Sequence, residues 1–296
     1  MATSESETLL YLDDEAAAGN FLDDISGVRE IAVDTEGASF HRFVDRIYLL
    51  QITTRDSSAI IDPLPLGTLE ALGAILQDTD VEVVFHDADY DLRLLHQDYG
   101  WNVNHIFDTR IAAQLLGIKA FGLAALLDQI FGVKLDKKHQ RADWSLRPLP
   151  PGMLDYAAQD TRYLLDLRDE LKIRLEKLGR WDWAREEFAR LEGTKWEGDE
   201  SNDGFLRIKG ARDLTRRELA LLRELVPWRD SVAREIDRAT FRVMGNEVLL
   251  EIARTAPKTP KDLSGLKGMP RGILDRGATA ILSAVQRGLE VAEEHL

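Results

Sequence analysis

The 296-residue sequence contains no cysteine, which excludes disulfide bonds and thiolate metal sites and fits a reducing compartment. It also lacks a run of about 18 apolar residues, as a membrane-spanning helix would need. The polar, acidic stretch over residues 1–8 is unlike a signal or transit peptide. With 44% hydrophobic and 30% charged residues, the composition is typical of a globular protein. From these absences we expect a cytoplasmic location.

A surplus of positive charge is missing as well, because 38 Lys+Arg stand against 52 Asp+Glu and give a net charge of −14. The imbalance is uneven along the chain. Residues 207–296 contain 17 Lys+Arg and 13 Asp+Glu, whereas the preceding 206 residues contain 21 and 39. We therefore predict an acidic domain over residues 1–192, a Gly- and acid-rich linker over 193–210, and a mildly basic helical module over 211–296.

One short stretch organises the acidic domain. Apolar residues 31–33 run into Asp34-Thr35-Glu36 and stop at Gly37, which predicts a buried central strand that ends in two acids. Side chains alternate along a strand, so both carboxylates lie on one face. Charges beside a core are rarely left unpaired, and no Lys or Arg lies within this stretch. A bound divalent cation is the leading explanation, although a solvated strand end would give the same tripeptide.

The surrounding pattern predicts an α/β fold. Strands over residues 31–35, 47–53 and 59–61 have short connections, as in an antiparallel meander. A fourth strand over 81–85 precedes a mostly helical region. We therefore predict a mixed β-sheet with antiparallel first three strands, flanked by helices and followed by a small all-α bundle. The predicted elements also include an edge strand over 8–12, a helix capped by Asp13 or Asp14, helices over 66–76, 89–99, 108–116 and 122–131, and one long helix over 153–178.

Two later stretches supply further acids. Asp91 lies in the first turn of the helix after the fourth strand, whereas Asp87 and Asp89 resemble helix caps. Tyr156 and Asp160 are four residues apart, so a helix presents them on one face. Each stretch alone also fits a structural interpretation, namely capping aspartates in the first and a buried tyrosine with an exposed aspartate in the second.

A loop over residues 134–151 concentrates positive charge within the acidic domain. We predict that it flanks the active site and binds nucleic acid, with the indole stacking on a base. For the tryptophan alone, a place in the core is the preferred interpretation. The residues of the predicted binding loop are Lys137, Lys138, Arg141, Trp144 and Arg147.

Three motifs together resemble those of the DEDDy 3′–5′ exonucleases, which have an RNase H-like fold. They are Asp34-Thr35-Glu36, Phe85-His86-x4-Asp91-Leu92 and Tyr156-x3-Asp160. The resemblance is strongest to the ribonuclease D group and covers residues 8–180. The C-terminal module is similar to a single helicase-and-RNase-D C-terminal (HRDC) domain, on the pattern Leu225-x2-Trp228-Arg229-Asp230.

The resemblance implies a metal-dependent hydrolase. Asp34, Glu36, Asp91 and Asp160 would hold two divalent ions, Mg²⁺ or Mn²⁺, as hard carboxylate oxygens favour. Tyr156 would orient the attacking water, since a phenol of ordinary pKa is a poor base. The products would be nucleoside 5′-monophosphates released from RNA 3′ ends, during maturation of tRNA or other structured RNA.

The sequence leaves alternatives for the base contact, the substrate and the role of the C-terminal module. Many bacterial members place an aromatic residue where this chain has Gly37, so Phe40 or His41 is expected to contact the terminal base instead. A single-stranded DNA exonuclease and a catalytically silent nucleic-acid-binding scaffold are the alternatives to an exoribonuclease. The C-terminal module would either bind RNA or only brace the fold. A monomer is favoured.

Overall fold

The computed structural model describes residues 9–136, 138–198 and 204–295. The chain forms two compact units, one comprising Met1–Ala38 and Asp45–Trp196 and the other Ser39–Val44 and Glu197–Leu296. Within the described ranges, no helix has both the length and the apolar character needed to cross a bilayer.

A six-stranded sheet forms the centre of the first unit, in the order β1-β4-β3-β2-β5-β6. β2, β3 and β4 are antiparallel neighbours, and the other pairings are parallel. The predicted mixed sheet with its antiparallel meander is therefore confirmed. The strands are β1 Leu10–Leu12, β2 Glu30–Glu36, β3 Leu49–Thr53, β4 Ser58–Ile61, β5 Glu82–Phe85 and β6 Ile106–Asp108.

Helices cover the sheet, and the apolar strand residues form the core between them. Ile31, Val33 and Ile52 are fully buried against α1 and α2, while Ala32 and Val84 face the core formed with α4, α5 and α7. The Asp14 carboxylate caps α1 by accepting hydrogen bonds from the backbone N–H of residues 16 and 17, as predicted. The helices are α1 Glu15–Asp24, α2 Glu70–Gln77, α3 Asp89–Tyr99, α4 Thr109–Leu115, α5 Leu123–Phe131, α6 Pro151–Arg162, α7 Leu164–Lys177 and α8 Trp181–Leu191.

One predicted element is wrong, two elements were missed, and one predicted boundary is not tested. The single helix predicted over residues 153–178 is wrong, because the chain leaves helical geometry at Tyr163 (φ −109°, ψ 3°). The bend lets α6 pack on β2, β3 and β4 while α7 packs on β2, β5 and α4. β6 and α8 were not predicted. Thr8, the predicted start of β1, lies outside the described residues.

The described part of the second unit is helical, with a core of its own. Its long helices α9 and α13 cross closely at Gly288, where an added Cβ would lie 2.7 Å from the Leu221 Cα. Thr215 and Thr259 close capping boxes at the starts of α9 and α12. The helices are α9 Arg216–Glu235, α10 Thr240–Val243, α11 Asn246–Thr255, α12 Pro260–Ser264 and α13 Arg271–Glu290.

Residues 39–44 belong to this second unit. The Phe40 and Phe241 rings meet edge to face with centroids 6.3 Å apart. The Phe43 backbone N–H donates to the Asp237 carboxylate over 3.3 Å, and Arg42 forms an ion pair with the same group. These contacts account for the grouping of a short segment with helices distant in sequence.

Candidate active site

The end of β2 brings together three of the four predicted acids. Asp34 and Glu36 lie two residues apart on one strand face, and α6, which packs on β2, presents Asp160. Each of the three offers a carboxylate oxygen within 4.8 Å of the others. This spacing suits chelation of one cation by several carboxylates.

The fourth acid, Asp91, is held beside the same strand. It lies in the first turn of α3, is buried, and its Oδ1 accepts two hydrogen bonds from Thr35. The Thr35 backbone N–H donates over 3.0 Å and its hydroxyl over 2.6 Å. The middle residue of the Asp-Thr-Glu motif therefore fixes the carboxylate of the second motif.

Burial makes all four carboxylates unusually basic, and repulsion within the cluster adds to this for Asp34 and Glu36. Burial raises the pKa of Asp34 well above its ordinary range, and the charges of Asp91, Asp160 and Glu36 raise it further. The pKa of Glu36 is also well above its ordinary value, through burial and then Asp160 and Asp91. Burial raises the pKa of Asp91 to about 7, despite the hydrogen bonds from Thr35, and that of Asp160 to about 7.

No ion pair in the described ranges joins an arginine, lysine or histidine to any of these four acids. All the available donor atoms are hard oxygens, which divalent cations such as Mg²⁺, Mn²⁺ and Ca²⁺ prefer. A bound cation would relieve both the repulsion and the desolvation. The acidic cluster therefore indicates use of a divalent metal.

A cavity of about 450 Å³ opens over the acids. Tyr156, one helical turn before Asp160, lines it together with Asp34, Glu36 and His86. Burial and the charges of Asp160, Glu36 and Asp34 raise the pKa of Tyr156 above its ordinary value. The phenol therefore stays protonated at neutral pH, and its hydroxyl can orient a ligand but not remove a proton.

The predicted binding loop is only partly placed at this cavity. Lys137 lies outside the described residues, Lys138 and Arg141 are exposed, and Gln140 lines the cavity. Trp144 is buried in the core, with its ring 6.1 Å from the Tyr156 ring. The core position preferred for the tryptophan agrees with this burial. Nucleic-acid binding by the loop remains a prediction.

Arg147 is engaged within the domain. Its guanidinium forms an ion pair with the buried Asp62 carboxylate, in which Nη2 donates to Oδ1 over 2.8 Å. It also donates to the backbone carbonyls of Tyr48, Trp144 and Leu146 over 2.7–2.9 Å. These contacts tie the loop to β4 and the segment before β3.

The predicted base contacts Phe40 and His41 belong to the second unit. Their role in base contact remains a prediction. A side chain at Gly37, the position that prompted this prediction, would require neighbouring side chains to move. An added Cβ would lie 2.1 Å from the Tyr90 hydroxyl and 2.7 Å from Asp45 Oδ1. Tyr90 and Asp45 are joined by a 2.7 Å hydrogen bond, which a side chain at this position would disturb.

Sequence reasoning missed His86 as a site residue. Its ring lines the cavity, and its Nδ1 lies 2.9 Å from the Thr109 hydroxyl. Burial lowers the pKa of His86 to about 4, so the imidazole is neutral at physiological pH. The available signal was its place directly after the fourth strand, within the Phe85-His86-x4-Asp91 motif.

Comparisons with known proteins agree with this geometry. Residues 10–176 match a family model described as 3′–5′ exonuclease, and residues 218–285 match an HRDC domain model. Ribonuclease D of Gluconacetobacter diazotrophicus is 32% identical over 273 residues, covering 89% of this chain and 69% of the relative. Exosome complex component 10 of Rattus norvegicus is 35% identical over 252 residues, covering 80% of this chain and 28% of that protein.

Solved structures give the same result over nearly the whole chain. Escherichia coli RNase D superposes with a TM-score of 0.81 at 28% identity, covering 97% of this chain and 76% of that one. The catalytic core of RRP6 from Trypanosoma brucei superposes with a TM-score of 0.80 at 29% identity, covering 98% of this chain and 82% of that one. The chain spans about a third or less of the relatives named exosome complex component 10 and protein RRP6-like 2. It belongs to the 3′–5′ exonuclease family, within its ribonuclease D-like group, and carries an HRDC domain.

Proposed function

We propose that this protein is a metal-dependent 3′–5′ exoribonuclease that removes nucleoside 5′-monophosphates from RNA 3′ ends. The observation that carries the proposal is the cluster of Asp34, Glu36 and Asp160, whose carboxylate oxygens lie within 4.8 Å of one another. The cluster has no cationic side chain paired with it in the described part of the chain, and it opens into a cavity large enough for a nucleotide.

Two divalent ions, Mg²⁺ or Mn²⁺, complete the proposed site. Asp34, Glu36 and Asp160 would hold one ion, and Asp34 with Asp91 would hold the second. When bound, such ions supply an activated water and stabilise the leaving 3′-oxygen. Thr35 keeps the Asp91 carboxylate in place through its two hydrogen bonds. The raised pKa values of Asp91 and Asp160 mean that metal binding displaces protons below about pH 7.

Tyr156 orients the nucleophile in this proposal. Its position in the cavity, one helical turn from Asp160, places the hydroxyl near the metal-binding acids. The ring contacts the buried Trp144 ring, with centroids 6.1 Å apart, and the His139 ring, with centroids 5.9 Å apart. Because its pKa is raised, the phenol donates or accepts a hydrogen bond and does not act as the base.

Structured RNA, such as a tRNA precursor, is the proposed substrate class. Support comes from relatives named ribonuclease D and from the RNase D structure, described as an exoribonuclease involved in structured RNA processing. We assign the nuclease to residues 1–192, a linker to 193–210 and the HRDC domain to 211–296. The linker residues 199–203 lie outside the described residues. A second contact by the HRDC domain would raise the effective concentration of the RNA end in a monomeric enzyme.

The test is hydrolysis of a 3′-labelled RNA and its DNA counterpart, each with Mg²⁺, Mn²⁺ or EDTA. The proposal predicts a labelled 5′-mononucleotide from RNA, dependent on added metal. Asp160→Asn should abolish release, whereas Asp155→Asn, an exposed acid on the same helix, should not. Absence of mononucleotide release with either metal, or undiminished release by the Asp160→Asn variant, would contradict the proposal. Release from DNA alone would favour the DNA exonuclease.

A further inference from the structure

One wall of the cavity is formed by a histidine placed beside the first metal-binding acid. Ala32 of β2 pairs with Val84 of β5 in a parallel ladder. Two residues further along, β2 reaches Asp34, and the turn directly after β5 begins with His86. Both residues line the same cavity. The His86 ring is therefore part of the site, although no predicted role includes it.

The turn that carries His86 is fixed from several directions. Asp87 adopts a left-handed backbone conformation (φ 70°), which is uncommon outside glycine, and its carboxylate forms an ion pair with Arg110. The Asp108 carboxylate accepts hydrogen bonds from the backbone N–H of Ala88 over 2.8 Å and of Ile111 over 2.9 Å. A turn held this way positions the ring before any ligand binds.

The hydrogen bonds around Thr109 determine which ring nitrogen carries the proton. The Thr109 hydroxyl donates its only hydrogen to the Phe85 carbonyl over 3.0 Å. It must therefore accept in its 2.9 Å contact with His86 Nδ1, so Nδ1 carries the hydrogen. The ring is neutral because burial lowers the His86 pKa to about 4. A neutral imidazole has one N–H, which leaves Nε2 as an acceptor.

An acceptor at this place discriminates among the groups of a nucleic acid. No hydrogen bond to Nε2 is present within residues 9–136, 138–198 and 204–295. Phosphate oxygens and base carbonyls are acceptors and cannot pair with it, and an uncharged ring does not attract phosphate. Sugar hydroxyls and the N–H groups of the bases are donors, and among these the 2′-hydroxyl is the one that distinguishes RNA from DNA.

We propose that His86 Nε2 accepts a hydrogen bond from the 2′-hydroxyl of the 3′-terminal nucleotide, making His86 a specificity-determining residue that favours RNA over DNA. This inference rests on the proposed exonuclease function, because it assumes that a nucleotide end occupies the cavity. Thr109 is the positioning residue, since it fixes the tautomer. The donor could otherwise be a water on a bound metal ion, which would serve RNA and DNA equally.

The activity test uses oligonucleotides that differ only at the terminal 2′ position, with hydroxyl, hydrogen or fluorine. Fluorine keeps an RNA-like sugar pucker but cannot donate a hydrogen bond. Wild-type kcat/KM should be about 3- to 10-fold higher for the hydroxyl than for the other two, as one hydrogen bond would give. His86→Phe, which keeps the ring size, should lower kcat/KM more on the hydroxyl end than on the other two ends and so bring the ratio close to one. His86→Gln, which retains an acceptor, should keep part of the wild-type preference for the hydroxyl end.

Three results would overturn the inference. An equal loss by His86→Phe on all three ends would mean that the ring serves the metal or the fold. If wild type has the same kcat/KM on the fluorine end as on the hydroxyl end, the enzyme recognises the sugar pucker and not the hydroxyl. A proton on Nε2 of His86 in the metal-free protein, detected by ¹H–¹⁵N multiple-bond correlation with His86→Gln as the assignment control, would also overturn it.

A binding measurement separates this inference from the proposed function. Fluorescence anisotropy with the three oligonucleotides, using the hydrolysis-deficient Asp160→Asn variant, needs no turnover. Preferential binding of the hydroxyl end, lost in the Asp160→Asn/His86→Phe double variant, supports the inference even if hydrolysis is never seen. Equal affinity for all three ends overturns it. Mononucleotide release without any 2′ preference would leave the proposed function standing and remove only His86 as its RNA-reading residue.

Discussion

The two ends of β2 carry acidic clusters that differ in one respect. At the start of the strand, Glu30 forms ion pairs with Arg55 and Arg168. At its end, the partly buried Asp34 and Glu36 have no ion pair in the described part of the chain. The same strand therefore has one acidic cluster neutralised by the protein and one left for another cation.

The neutralised cluster shows what this fold does when acids serve stability. Arg168 also pairs with Glu82 over 2.6 Å and with Asp169 over 2.6 Å. Arg55 reaches Asp166 over 2.9 Å and Asp169 over 2.7 Å. Two arginines thus link four acids from two strands and a helix. Buried acids without such partners cost free energy, and their presence at the cavity points to function.

Removing one acid from each cluster should give the largest contrast. Asp34→Asn is nearly isosteric but removes a ligand of the proposed metal site, and we expect kcat to fall on the order of 10³-fold or more. Glu30→Gln, at the other end of the same strand, is the matched control and should leave kcat within about twofold. The measurement is single-turnover hydrolysis of labelled RNA. Similar losses in both variants would show that the contrast is not functional.

The metal-free protein should become less stable as pH rises. Asp91 and Asp160 have pKa values of about 7 in the fold and about 4 in an unfolded chain. Their contribution is therefore fully present below about pH 4 and is lost as pH rises through about 7, a change of a few kcal/mol. Melting in EDTA from pH 5 to 8 should show this fall, less steeply in Asp160→Asn, and Mn²⁺ should reverse it at pH 8. Identical slopes in wild type and variant would contradict the assignment.

Breaking the neutralised cluster should affect stability alone. Arg168→Met leaves the partly buried Glu30 and Glu82 without their shared partner, and the side chain of Arg168 is only 12% exposed. We expect the free energy of unfolding to drop by about 2 kcal/mol, with Mn²⁺ affinity unchanged. Denaturant unfolding and metal titration measure the two quantities. Adding Glu82→Gln to Arg168→Met should recover part of the lost free energy of unfolding. A fall in Mn²⁺ affinity in Arg168→Met would contradict the prediction, because it would show that the two ends of β2 are coupled.

The smallest expected effect is a change in stability at Gln51, a neutral residue beside the proposed metal site. Gln51 of β3 pairs in register with Asp34, is fully buried, and neither of its amide atoms has a hydrogen-bond partner in the described ranges. Gln51→Leu removes an unpaired amide, so the free energy of unfolding should rise by about 1 kcal/mol. Calorimetric melting tests this. A fall in stability would mean that the amide has a partner, such as water, in solution.

The sequence predicted the parts of the site that depend on local periodicity. Strand alternation places Asp34 and Glu36 on one face, and helical spacing places Tyr156 with Asp160. The charge pattern also shows that no Lys or Arg lies next to the first two acids. These inferences need only the geometry of one element at a time.

The remaining features depend on contacts between segments distant in sequence. Thr35 fixes Asp91 across 56 positions, and Arg147, predicted to bind nucleic acid, pairs with Asp62 across 85. The break at Tyr163 follows from two packing surfaces rather than from a helix-breaking residue. His86 was missed because a histidine after a strand becomes informative only when Thr109 determines its tautomer.

The most direct test of the account is calorimetric titration of the metal-free protein with Mn²⁺ at pH 6, in two buffers of different ionisation enthalpy. If the carboxylates with raised pKa values hold the metal, binding must release protons from them, and the apparent heat must differ between buffers. We predict release of at least one proton per protein molecule in wild type and in Glu30→Gln, and loss of binding in Asp34→Asn. Binding without proton release, or equal binding by Asp34→Asn, would contradict the claim that the unneutralised end of β2 is the metal site.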